Sequence, residues 1–232
     1  VHWRIGTLLL LDIPPEQREE YIFDVVNQLN HGQAFITEPN EKIELAQLNL
    51  LAGQRAKASA AFEPALKYLR VGISLLHEQN WQNQHVLVLE LHGEAAEAAY
   101  LNGSFAEMEQ LIELVSQHAT DVLDSVKVYE IKIRAAIAQG KHIEAVQIAL
   151  RVLEALGIPF RENPDQSDVL AGLQETRATL AKRTFEDLLH LPEMIDKYKL
   201  AAMRILTSTI NAAYVANPEL MTLITFKMVT LS

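Results

Sequence analysis

The sequence predicts an all-α protein, an array of helical hairpins followed by a smaller C-terminal helical subdomain. Three observations lead there. Apolar residues recur every three to four positions along most of the 232 residues, the period of a helix that buries one face. Glycine and proline number only 9 and 8, while leucine, alanine, glutamate and glutamine, which lose little side-chain freedom in a helix, are abundant. One pattern of small and apolar residues also returns at intervals near forty residues, and no segment alternates long enough to read as a strand.

Prolines and Gly/Asn clusters set the boundaries: Pro14-Pro15, Asn30 to Gly32, Pro39-Asn40, Asn80, Asn102-Gly103, Gly140, Gly157 to Pro164, Pro192 and Asn217-Pro218. Between them helices are expected at 2–11, 15–29, 41–58, 61–78, 84–101, 104–118, 121–139, 142–156, 166–182, 184–190, 196–216 and 218–231. Asn40 and Ser104 stand at N-cap positions, the latter with Glu107 three residues on as a capping box. Gly157 supplies a left-handed stop after AVQIALRVLEAL, and the IPFRENP segment after it reads as a connector. The predicted organisation is 1–12, 13–158 for the hairpin array, and 159–232 for a C-terminal helical extension truncated at its end. The apolar run from Ala201 to Leu231, broken at Asn217-Pro218, reads as buried bundle helices.

The repeat carries the packing logic. Gly53, Ala96 and Ile133 align, followed by Ala56, Ala99 and Ala136, then by Phe62, Phe105 and His142. Farther on come Ala65, Met108 and Ala145, then Leu69, Ile112 and Ala149. Small residues on the first helix allow the second to approach closely, and an aromatic fills the elbow. A hairpin alone leaves an apolar face wet, so stacked neighbours complete the core. In the alanine-rich stretch LLAGQRAKASAAFEPALKYL, Ser59 is the expected cap of the second helix and Pro64 falls in that helix's first turn, where a missing N–H costs nothing.

Charge and composition exclude several roles. A formal charge of −10 repels phosphate backbones and anionic lipid, so neither nucleic acid nor membrane is an expected partner. The absence of cysteine removes disulfides and thiolate metal sites and fits a reducing, cytoplasmic setting. No apolar run reaches the roughly 18 residues a membrane span needs. The chain starts at Val1 and stops in an apolar pattern at ELMTLITFKMVTLS, which reads as a piece of a longer protein.

Chemical motifs are missing too. No HRD loop or DFG is present for protein phosphorylation, and the one Gly-Lys pair, Gly140-Lys141, lacks the preceding glycine and following hydroxyl of a phosphate loop. His85 and His92, seven apart, share a helix face without the acidic partner of a zinc motif, and Ser116, His118 and Asp121 read as capping at a turn rather than as a triad. No catalytic, cofactor or metal residue is therefore expected. The first helix of each hairpin would line a concave face carrying Gln54, Lys57, Glu90, Glu97, Lys127, Glu130 and Arg134, a mixed-charge set suited to a peptide or a neighbouring domain.

The order of small, small, aromatic and alanine in AGQRAKASAAFEPALKYL and EAAYLNGSFAEMEQL resembles tetratricopeptide repeats, with intervals of 43 and 37 residues between the aligned glycine and its counterparts. Across nearly the whole chain, the blocks HWRIGTLLL, IFDVVNQLN, LNLLAGQRAKASAAF, LHGEAAEAAYLNGSF, VKVYEIKI, LPEMIDKYKLAAMRIL and NAAYVANPEL resemble the segment that follows the ATPase module in large bacterial signalling kinases. Those proteins join a serine/threonine kinase, an AAA-like ATP-binding domain, this helical segment, a GAF sensor and a histidine kinase of the two-component type. The resemblance implies that residues 1–12 end the ATPase module and that the rest is a non-catalytic signal-relay segment, with the kinase chemistry elsewhere in the parent chain. Two other classes stay open on the residues alone: a small-molecule or peptide receptor, and an enzyme with an unrecognised helical-bundle site.

Overall fold

The computed structural model describes residues 1–14, 17, 20–181, 184, 186–187, 190–191 and 193–232. Its regular elements among these residues are all helical, apart from irregular turns: α1 (His2–Asp12), α2 (Ile22–His31), α3 (Pro39–Ala58), α4 (Phe62–Ser74), α5 (Asn80–Asn83), α6 (His85–Leu101), α7 (Phe105–His118), α8 (Val122–Ala138), α9 (His142–Ala155), α10 (Gln166–Leu180), α11 (Lys197–Ala216) and α12 (Pro218–Leu231). A 3-10 turn, Gln33–Phe35, follows α2. The helix expected at 184–190 falls partly outside the described residues, at 185, 188 and 189, and so does the first turn of the one expected at 15–29, at 15, 16 and 18. The chain forms two compact units, 1–118 and 119–232.

In the first unit, α3–α4 and α6–α7 are hairpins, and α4 lies against α6. The small-residue seam is physical. A Cβ added at Gly53 would sit 2.5 Å from Leu69 Cγ, and one at Gly72 would sit 2.7 Å from Leu91 Cδ2 and 3.3 Å from the Ala46 carbonyl oxygen. Ala96 and Ala99 are fully buried, as are Leu66, Leu69 and Leu91. Each such leucine removed from water contributes about 2 kcal/mol. Phe105, expected in the elbow, is 37% exposed and packs on Tyr100 with ring centroids 6.4 Å apart.

Polar contacts in this unit join residues about forty positions apart. Lys57 bonds to Glu97, Asn102 to Glu63, Arg70 to Glu107 and His118 to Glu78, across separations of 40, 39, 37 and 40 residues. They tie the first hairpin, and the turn after it, to the second. The buried Asn49 and the half-buried Asn30 exchange two hydrogen bonds of 2.9 Å, joining α3 to α2.

In the second unit α8–α9 form a hairpin, α11 packs on both, α12 on α11, and α10 on α12. Ile133, Leu153, Ile205, Leu206, Leu220 and Ile224 form one core. Asp121 caps α8 with Asp124 as its reciprocal partner, and Asp165 with Asp168 does the same for α10. Asn217 caps α12 and Pro218 takes its first position. The apolar run from Ala201 is buried along α11, whereas α12 buries only Leu220 and Ile224.

Several local expectations change. Asn40 lies inside the first turn of α3, which Glu38 precedes and Pro39 opens, because proline's fixed φ already suits that position. Ser59 ends α3 instead of capping α4; Ala60 turns the chain at φ 56°, and Ala61 is the N-cap without a side-chain bond. Helix α4 stops at Ser74, and the short α5 carrying Trp81 follows. Gly103, Gly140 and Gly157 all adopt positive φ, as their turn positions require.

Candidate functional site

The seven residues read as one concave face divide between the two units. In the first, Lys57 near the end of α3 meets α6. Its ammonium lies 2.5 Å from both Glu94 and Glu97, and the three side chains are only 19%, 10% and 19% exposed. Burial pulls the Lys57 pKa down, but the hydrogen bonds and attraction of Glu94 and Glu97 outweigh it and hold the value above that of an ordinary lysine. The charge contribution is therefore in place throughout the neutral range and is lost only as pH rises through the elevated lysine pKa. Lys57 and Glu97 act as a brace between successive hairpins. Gln54 is half-buried on α3, and Glu90 is exposed on α6.

In the second unit, Glu130 accepts from Arg204 of α11, at 2.5 Å from Nη2 and 3.1 Å from Nε. Lys127 and Arg134, half-buried on α8, each have an interaction partner. Sequence spacing did not reveal Glu94 as the third member of the Lys57 group, although Glu94 and Glu97 three apart share one helix face. Nothing in the sequence signals Arg204, which comes from 74 residues away.

The histidines serve local structure. Trp81 stacks on His118 with centroids 4.2 Å apart at 9°, and its other neighbour is His92 at 4.8 Å. His85 and His92 bond through Nδ1 to the carbonyls of Trp81 and Val88, so the two rings address different backbone groups. Ser116 donates to the Ile112 carbonyl, His118 contacts the Leu114 carbonyl and Glu78, and Asp121 caps α8, so each of the three is engaged with partners of its own. Among the described residues no cluster of three or more His, Asp or Glu is arranged to hold a metal ion, and no helix is long and apolar enough to cross a membrane.

The two ring partners of Trp81 titrate in opposite senses. Burial lowers the His92 pKa, against the Val88 carbonyl and aided by His118, so His92 favours the fold above about 6.5 and loses that contribution as pH falls. The Leu114 carbonyl and then Glu78 raise the His118 pKa, so its contribution is present below about 6.5 and is lost as pH rises. In His92→Leu only the second remains. Unfolding of the first unit in urea, followed by tryptophan fluorescence, should then show stability rising from pH 7.5 to 6. A slope unchanged from the parent protein counts against this assignment. Trp3 and Trp81, the two tryptophans of the chain, both report on this unit.

No family model matches the chain, and no solved structure does. An alignment 146 residues long, covering 59% of the chain, is 23% identical to hybrid signal transduction histidine kinase G of Dictyostelium discoideum. The chain spans 4% of that protein's length. The likeness is to a small part of a signalling kinase.

Proposed function

We propose that the chain is a non-catalytic, tetratricopeptide-like interaction segment that relays signals within a multidomain signal-transduction kinase of the cytoplasm. The observation that carries the reading is the likeness to a hybrid histidine kinase over 59% of the chain. The polar ties of the first unit support the tetratricopeptide-like part, because they join successive hairpins at several points along their length.

On this reading residues 1–12 end an ATPase module, 13–158 form the relay array, and 159–232 extend it toward sensor and kinase modules. The phosphoryl-transfer chemistry and ATP belong to those other modules, and the segment itself takes no cofactor. Its partners are neighbouring domains of the same chain or a peptide of a protein partner, met by the polar faces of α3 and α6 in the first unit or, separately, of α8 in the second. Gln54 and Glu90 supply contacts at the surface, while Lys57, Glu97 and Glu130 brace the helices that present them.

Reading the encoding frame beyond both ends tests the placement. Kinase and ATP-binding signatures before Val1, with GAF and histidine kinase signatures after Ser232, are the expected result. A frame that opens at Val1 and stops after Ser232 contradicts it.

A further inference from the structure

The surface of the second unit holds a cavity of about 630 Å³ between α8 and α9, within the size range of small-molecule sites. Its floor is apolar, from Val122, Ile148 and Val152. Along α8, Ser125, Tyr129 and Lys132 follow at intervals of four and three, which places them on one helix face. Tyr129 and Arg151 stand equally far from the turn at Gly140, so the hairpin brings Arg151 level with that face.

Four polar groups there have no internal task. Ser125 is 5% exposed, yet its hydroxyl has no hydrogen-bond partner among the described residues, and the same holds for the Tyr129 phenol, the Lys132 ammonium and the Arg151 guanidinium. The Ser125 oxygen is not one of the enclosed side-chain atoms left without a partner, so the hydroxyl stands open to the cavity it lines. The acidic group in the wall, Asp121, is committed to the backbone N–H of Leu123 and to the Tyr198 hydroxyl at 2.7 Å. In a chain of net charge −10, this cavity pairs two uncommitted cations with an apolar floor.

We propose that the cavity between α8 and α9 binds a small organic anion, an apolar body ending in a carboxylate or phosphate. The body lies on Val122, Ile148 and Val152, and the anionic end is held by Lys132 and Arg151 with the Tyr129 and Ser125 hydroxyls as donors. This site is independent of the relay reading, since binding is measured on the chain itself and needs no parent kinase.

The test is titration of the 232-residue chain with benzoate, phenyl phosphate and benzyl alcohol, followed by amide chemical shifts. Saturable shifts confined to α8 and α9 are expected from at least one anion, and the stronger of the two identifies the head group. Benzyl alcohol, lacking the charge, should bind at least tenfold more weakly. Lys132→Met/Arg151→Met should lose at least tenfold in affinity for that anion with an unchanged circular dichroism spectrum. Lys42→Met/Lys67→Met, the same charge change in the other unit, should lose none. No saturable binding of either anion, equal binding of benzyl alcohol, or equal losses in the two double variants would overturn the proposal.

Discussion

Gly53→Leu is expected to destabilise the first unit by about 3 kcal/mol, seen as a lower urea midpoint in tryptophan fluorescence. The Cβ alone would lie 2.5 Å from Leu69 Cγ, so α3 and α4 must move apart and open the seam beneath Leu66 and Leu69, both fully buried. Helix propensity works the other way, by under 1 kcal/mol in favour of leucine, and does not decide the outcome. A second-site Leu69→Ala should recover part of the loss by vacating the contested space. Gly103→Ala, at φ 77° with open space around it, should cost only about 1 kcal/mol. Equal losses at Gly53 and Gly103 would mean that backbone conformation, not close approach, explains the small residues.

Lys57→Met is the second large effect, a loss of about 3 kcal/mol at neutral pH, because it takes the Lys57 ammonium away from two largely buried carboxylates, Glu94 and Glu97. Without the ammonium the two carboxylates are held less firmly in their charged form than in the parent protein. The variant's deficit against the parent protein should therefore shrink as pH falls toward 5 through the carboxyl range. Lys57→Met/Glu94→Leu/Glu97→Leu removes the buried charge and should return to within about 1 kcal/mol of the parent. A single variant that loses the same amount at pH 5 and pH 8 would show that packing by the lysine stem is the whole effect.

Much of the helical pattern was legible because its signals are local. Apolar period and Gly/Asn punctuation placed α6 to α9 within two residues, and Gly157 marked its own stop through the conformation only glycine adopts cheaply. The seam was legible at Gly53 because a glycine inside a helix has a cost that close packing repays. Ser59 misled because capping depends on where the chain turns: Ala60 makes the turn, and the cap position falls on Ala61, two residues past the serine. The division between His118 and Ala119 leaves no mark in composition, since α8 and α9 commit their buried faces to α11 from more than forty residues downstream.

The candidate face was less legible than the fold. Lys57 and Glu97 were found as polar residues on first helices, but their spacing could not say that they face each other instead of a partner. Glu130 fared likewise, since Arg204 reaches it from another element. The cavity on α8 and α9 was missed because its residues read separately as core and as solvated charge; only the hairpin geometry gathers Ser125, Lys132 and Arg151 around one space.

The relay role is tested most directly by incorporation of labelled phosphate from ATP into the complete parent chain, intact and with Gly53→Leu in this segment. Incorporation by both is expected, at rates that differ severalfold, because the seam variant alters the relay and leaves the catalytic modules whole. No incorporation by either chain, or the same rate in both, would contradict it.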